Sequence, residues 1–273
     1  MLLEQSLIME GSCDFRIFCE NEKKYLLKCF RKNGRKFLNI CENAFFHSFL
    51  EGPFHVHLVS VRNPRDYLKK ELETWKLWKE EGIPCLSLKE YSKDKIIWQY
   101  EEGAVSIKRL VESKKSIDEF NNFLDLYQRI RGVAKIKQNP NYLHSDPHLS
   151  NFLFLANNQI IPIDSGCILK KNMSLEELDL HLLKRTIYAL AGVISSEEDK
   201  KEYLQMFGQR LTNEEKDFLL NYNYAYSTLA KKYLTFREEI IHKLKGREKR
   251  NIFEEHNQFI EFKEKHFLDC LSS

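Results

Sequence analysis

The chain has 273 residues, with 43 Lys and Arg against 40 Asp and Glu, and is 42% hydrophobic and 30% charged. That length fits one large domain or two lobes around a cleft, and that composition builds a packed core, which excludes a disordered chain. A net charge of +3 excludes the strongly basic footprint of a nucleic-acid binder.

The first thirty residues read as three short strands, Leu7 to Glu10, Phe15 to Glu20 and Tyr25 to Phe30, joined by Gly11-Ser12-Cys13-Asp14 and by Asn21-Glu22-Lys23-Lys24. Phe54 to Val59 is predicted as a further strand, paired with Lys36 to Ile40. A helix follows, capped by Asn63 with Pro64 in its first turn, and Leu68, Leu72, Trp75 and Trp78 form one apolar face up to Gly82. Ile83-Pro84 breaks it. Leu86 to Tyr91 and Ile96 to Tyr100 are predicted as a strand pair, and Glu101-Glu102-Gly103 as a polar link.

Beyond that link the pattern is helical. Ser116 to Lys137 is one periodic segment with Phe120, Phe123, Leu124, Tyr127, Ile130 and Val133 on one side. Asn151 to Leu155 and Gln159 to Ile163 form a hairpin-like unit. From Ser174 onward, Ser174, Ser195 and Thr212 each precede Glu within three residues, as helix starts do. The expected fold class is α+β and bilobal, with a strand-rich lobe over 1–102 and a mostly helical lobe over 103–273.

Seven cysteines, Cys13, Cys19, Cys29, Cys41, Cys85, Cys167 and Cys270, include no C-x-x-C pair. Reduced, mostly buried thiols in a cytoplasmic protein are the simplest expectation. Residues 1–11 carry Glu4 and Glu10 and do not read as a secretory signal, and no run approaches the roughly 20 apolar residues of a membrane span.

The chemistry is concentrated in Tyr142-Leu-His144-Ser-Asp146-Pro-His148-Leu-Ser-Asn151-Phe and in Ile161-Pro-Ile-Asp164-Ser-Gly166. His-x-Asp, then Asn five residues after the Asp, then a second Asp-x-Gly after an apolar strand, is the pattern of a kinase catalytic loop and its metal-binding segment. Phosphoryl transfer needs a carboxylate beside the attacking hydroxyl and oxygen ligands for magnesium on the triphosphate. A loop bearing Asp146 and Asn151 that runs into a hairpin returning Asp164 puts all three on one rim, and Gly166 is expected to let the chain turn sharply after Asp164.

On these motifs the chain resembles the protein-kinase-like superfamily, in the bacterial branch that includes lipopolysaccharide core heptose kinases, and it is also similar to aminoglycoside and small-molecule phosphotransferases. The resemblance covers most of residues 7–190 and is specific in the second lobe. It implies an ATP- and Mg2+-dependent kinase in which Asp146 is the catalytic base, Asn151 and Asp164 hold magnesium, and His144 braces the loop. It further implies that Lys28 contacts the α- and β-phosphates, that Glu71 pairs with Lys28, and that Tyr100 to Gly103, Glu102 included, is the adenine-binding hinge. A lysine inside an apolar strand needs a paired ammonium, and a helix glutamate supplies one.

The departures disfavour a regulated protein kinase: one glycine in the Glu10 to Asp14 turn, Ser165 in the middle of the Asp-x-Gly motif, and His-Ser-Asp without an arginine. They fit a small-molecule or glycan kinase. The acceptors implied are a lipopolysaccharide-core sugar, a lipid-linked sugar, another small molecule or a protein, with no nucleic-acid partner. A pseudokinase that binds nucleotide or a partner without turnover is the alternative from another class. His55 and His57 share one strand face without a third ligand, and Tyr222, Tyr224 and Tyr226 are assigned to helix packing. The basic run Lys243 to Arg250 is a solvated helix face that leaves room for peripheral contact with the inner membrane.

Overall fold

Apolar residues alternating with charges over residues 7–30 form three antiparallel strands, β1 (Leu7–Glu10), β2 (Cys13–Glu20) and β3 (Lys23–Phe30). The computed structural model describes residues 7–10, 13–30, 57–58, 65–113, 116–169 and 173–222, with isolated positions from 235 to 270. Asn21 and Glu22 make the β2–β3 turn with φ of 49° and 64°. Two left-handed residues match the twist of the flanking strands, so this turn is tighter than the four-residue link expected, and Lys23 and Lys24 belong to β3.

The helix α1 (Arg65–Glu80) comes next in the described chain after a two-residue strand, β4 (His57–Leu58). Gly82, at φ +66°, ends α1, and the Ile83 N–H reaches back to the Trp78 carbonyl at 2.9 Å. Strands β5 (Leu88–Tyr91) and β6 (Lys95–Gln99) complete a five-stranded sheet of order β1-β2-β3-β6-β5. Register sets Phe15 opposite Lys28, Ile17 opposite Leu26, Leu26 opposite Trp98 and Lys28 opposite Ile96. Side chains alternate across a strand, so these residues share one face. Ile96 and Trp98 pack there against Leu68 and Leu72 of α1.

Residues 100–104 lead from this sheet to β7 (Val105–Ser106), α2 (Ile107–Glu112) and the long α3 (Ile117–Lys137). Strands β8 (Phe152–Phe154) and β9 (Ile160–Pro162) join β7 in a second, three-stranded sheet, and β10 (Ile168–Leu169) pairs antiparallel with β4. The Lys36 to Ile40 partner expected for residues 54–59 lies outside the described residues, as do His55, Tyr224, Tyr226 and the Lys243 to Arg250 run; of His57 only the backbone is described.

Helices α4 (Leu175–Val193), α5 (Glu197–Gly208) and α6 (Asn213–Asn221) enclose the main core with α3, around Phe120, Phe123, Tyr127, Leu183 and Leu190. Ser174 and Thr212 form full capping boxes with Glu177 and Glu215. The start expected at Ser195 falls instead on Ser196, whose hydroxyl accepts from the Asp199 N–H at 3.3 Å, because Ile194 still closes α4. Buried Arg131 of α3 holds Asp179 of α4 through two bonds, at 2.7 and 2.8 Å, and also pairs with Glu215 of α6. The fold is therefore α+β, a strand-rich N-terminal part followed by a helical remainder.

Free thiols are found among the described cysteines, as expected, and the departure from expectation is in burial. Cys19, Cys85 and Cys167 are half-buried free thiols, and Cys270 is buried in the helical core. Among the described residues no helix is long and apolar enough to cross a membrane.

Candidate active site

A cleft of about 590 Å3 opens between the first sheet and the helical part. Its roof is the shared sheet face, Phe15, Ile17, Leu26 and Trp98, and its floor carries Asp146, Asn151, Leu153 and Asp164. An apolar slot with a few convergent polar groups is the usual make-up of a ligand site.

Lys28 is 4% exposed in the middle of β3. Its ammonium lies 2.5 Å from Glu71 Oε2 and 2.7 Å from Asp164 Oδ1. Glu71 is equally buried on α1, and burial pushes its carboxyl up while the Lys28 charge beside it and a Trp98 hydrogen bond pull it back. Glu73, two positions on, points to solvent and pairs with Lys69.

Side-chain hydrogen bonds hold the loop from Leu143 to Asn151 in place. The Asp146 N–H donates to His144 Nδ1 at 3.2 Å, which fixes the other ring nitrogen as the protonated one, and Nε2 donates to the Ile163 carbonyl at 3.0 Å. His144 is buried between the rings of Trp78 and Phe152, and that burial drives its pKa down to about 4, so the ring is neutral. Ser145 Oγ donates to the Ser165 carbonyl at 2.9 Å. Asn151 spends its amide N–H on the Asp146 carbonyl at 2.9 Å, which presents its amide oxygen as the group for a ligand.

Asp164 sits at φ +56°, a left-handed conformation that Asp tolerates through its short polar side chain. That is where the sharp turn lies. Gly166, expected to provide it, has no positive φ; a Cβ there would meet the Tyr67 carbonyl oxygen of α1 at 2.8 Å. Its smallness lets α1 come down onto the Asp164 segment.

Tyr100 lines the cleft, and its N–H bonds the Lys24 carbonyl at 3.0 Å. Glu102 is outside the cleft lining, and its carboxylate pairs with Lys24 at the surface. The structure thus brings Lys28, Glu71, Asp146, Asn151 and Asp164 to one cleft and leaves the Glu102 side chain away from it. It also adds groups that sequence reasoning missed. Arg185 of α4 binds the Asp146 carboxylate, and Trp78 ties α1 to the loop through the Tyr142 carbonyl at 2.7 Å. A Lys184-Arg185 pair inside a helix that is otherwise mostly apolar was the one available signal for Arg185.

No protein-family model matches the sequence, and no curated protein does. Several solved structures are similar to the chain at low identity. "WaaP in complex with acyl carrier protein" is 11% identical, with 89% of this chain and 90% of that one covered and a TM-score of 0.41. Choline kinase LicA from Streptococcus pneumoniae is 10% identical, with 100% and 94% covered and a TM-score of 0.44. A Rio2 kinase–ADP/Mg2+-phosphoaspartate complex from Chaetomium thermophilum is 15% identical, with 96% and 72% covered and a TM-score of 0.43.

Proposed function

We propose that the chain is a phosphotransferase that moves the γ-phosphate of ATP to a hydroxyl group, with residues 1–102 as the ATP-binding lobe and 103–273 as the catalytic lobe. One observation carries this reading. A buried lysine, paired at 2.5 Å with a helix glutamate, reaches Asp164 at 2.7 Å in the same cleft that Asp146 and Asn151 line.

The donor set fits magnesium. Asp164 and Asn151 offer only oxygens, half-exposed at the cleft wall, and magnesium is usually held by one or two such groups plus substrate phosphates rather than by a closed cage. Among the described residues no group of three or more His, Cys, Asp or Glu forms such a cage. Bound there, the ion would neutralise charge on the phosphates. Lys28 would neutralise the α- and β-phosphates, with Glu71 fixing its position. Asp146 would accept the acceptor's hydroxyl proton, and Asn151 and His144 hold the loop that presents it. Positioning and charge complementarity do most of the work in such a reaction. The apolar face of Leu26 and Trp98 is suited to a flat base, with Tyr100 and the hinge backbone at its edge.

For the acceptor we propose a sugar hydroxyl of a lipopolysaccharide core, supported by the Asp146-Pro-His148-x-x-Asn151-Phe152 motif, with the work done on the cytoplasmic side where ATP is supplied. The test is transfer from γ-labelled ATP with magnesium to core oligosaccharides, small alcohols, proteins and water. Asp146→Ala is expected to lower turnover roughly 10²–10⁴-fold and Asp164→Ala to abolish it, both folded by circular dichroism. Full activity of purified Asp164→Ala would remove the metal role. Label on a protein or small alcohol instead would reassign the acceptor, and nucleotide binding without turnover would make the chain a pseudokinase.

A further inference from the structure

Arg185 lies midway along α4, outside the cleft lining, and reaches the Asp146 carboxylate from below the loop. Its Nε and Nη2 both stand 2.8 Å from the same oxygen, Oδ1. We propose that Arg185 is the positioning residue that sets the orientation of the Asp146 carboxylate toward the acceptor hydroxyl. This inference rests on the phosphotransferase reading above.

The backbone of Asp146 is fixed without Arg185. Its N–H is held by His144 and its carbonyl by Asn151. Those bonds leave the two side-chain torsions open, and a catalytic carboxylate must be held within a narrow range of orientation to work. A hydrogen bond from Nε and an ion-pair contact from Nη2 hold that one oxygen from a planar fork, which is more directional than an ammonium. The pair is largely shielded, with side chains 15% and 21% exposed, so water competes weakly for it.

The support behind Arg185 is rigid. Its neighbours Leu182, Leu183, Thr186 and Ile187 are buried in the helical core, and Asp179, one and a half turns earlier, is clamped by Arg131. The guanidinium is therefore presented by a helix with a well-buried face, whereas Asp146 is on a loop. The Ser145 hydroxyl, bonded to the Ser165 carbonyl, ties the same loop to the Asp164 segment. Arg185 thereby sets the base against a fixed frame that already includes the Asp164 segment.

The experiment compares wild type, Arg185→Gln, Arg185→Lys, Asp146→Ala and the Asp146→Ala/Arg185→Gln double variant, using γ-labelled ATP, magnesium, and core oligosaccharide or water as acceptor. Arg185→Gln is expected to lower kcat roughly 10- to 100-fold with KM for ATP within about twofold. Arg185→Lys should recover part of that loss. In the Asp146→Ala background Arg185→Gln should cost nothing more, because it acts through the missing carboxylate. Full kcat in Arg185→Gln beside an active wild type overturns the inference while the phosphotransferase reading stands. A rise in KM for ATP with a fall in Tm, and an equal loss in the Asp146→Ala background, makes Arg185 a structural tie and overturns it too. A wild-type protein that transfers to no acceptor, with small alcohols and proteins tried beside core oligosaccharide and water, overturns the phosphotransferase reading and the positioning role with it.

Discussion

His144 shows what a single buried ring imposes on the molecule. Folding strips it of water and leaves it neutral with a pKa near 4, against 6.5 in the open chain. Between those values the unfolded chain binds the extra proton, so stability is full above pH 6.5 and falls as pH drops toward 4. The gap of about 2.5 units corresponds to about 3.5 kcal/mol, at roughly 1.4 kcal/mol per unit. Urea unfolding of wild type at pH 7, 5.5 and 4.5 should follow that decline, and His144→Gln should flatten it. An equally steep decline in the variant would assign it to other groups. Gly166 makes a second case. A methyl there meets backbone rather than a movable side chain, so Gly166→Ala must displace α1 and Glu71 with it. The expected loss is about 1–3 kcal/mol, read as a lowered Tm, together with weakened nucleotide binding. The sequence marked both positions, and the reason for one of them differed. A motif places His144 beside Asp146, whereas the close approach of Tyr67 to Gly166 joins segments 99 positions apart, which no local pattern reports.

At the scale of elements, α4 carries an unusual burden. Lys184 is completely buried, with its ammonium 3.0 Å from His181 Nδ1 and 3.6 Å above the Tyr222 ring. Burial lowers its pKa to about 7 from 10.5. The unfolded chain therefore binds more protons between pH 7 and 10.5, and stability rises with pH across that window. Lys184→Met should stabilise the protein at pH 7, on the order of 3 kcal/mol once the attraction of the Tyr222 ring for the ammonium is discounted, and the gain should shrink toward pH 10. Thermal unfolding of both proteins at pH 7 and 9.5 checks this; a variant less stable at pH 7 would mean that the lysine has a compensating partner. Elements themselves were legible where period and cap agreed, as at Ser174 with Glu177 and Thr212 with Glu215. The Ser195-Ser196 pair was not, since two adjacent hydroxyls satisfy the same local rule and packing of Ile194 decided between them. The Lys184-Arg185 pair stood out in the sequence but its partners were illegible, because a helix wheel separates apolar from charged positions and does not say which charges are buried with partners.

For the whole molecule the informative feature is how α1 is tied down. Lys70 donates to the Asn141 side chain at 2.8 Å, Trp78 to the Tyr142 carbonyl at 2.7 Å, and Arg129 to the Glu81 carbonyl at 2.9 Å. All three partners of α1 and its C-terminal end belong to α3 or to the loop after it, so the helix that carries Glu71 is anchored to the side of the cleft that carries Asp146 and Asn151. The Lys28–Glu71 pair stands assembled in this structure. Under the proposed function, ATP with magnesium at about 100 times Kd should stabilise the fold by about 2.7 kcal/mol. For a chain of this size that is a Tm rise of roughly 5–10 °C. Magnesium's share of the rise should vanish in Asp164→Ala, while the smaller rise given by ATP alone should persist, because Asp164 is the exposed carboxylate of the site and the apolar slot for the base is untouched. An unchanged magnesium-dependent rise in Asp164→Ala would place the ion elsewhere. No rise in wild type with either ligand would mean that the cleft takes something other than a nucleotide.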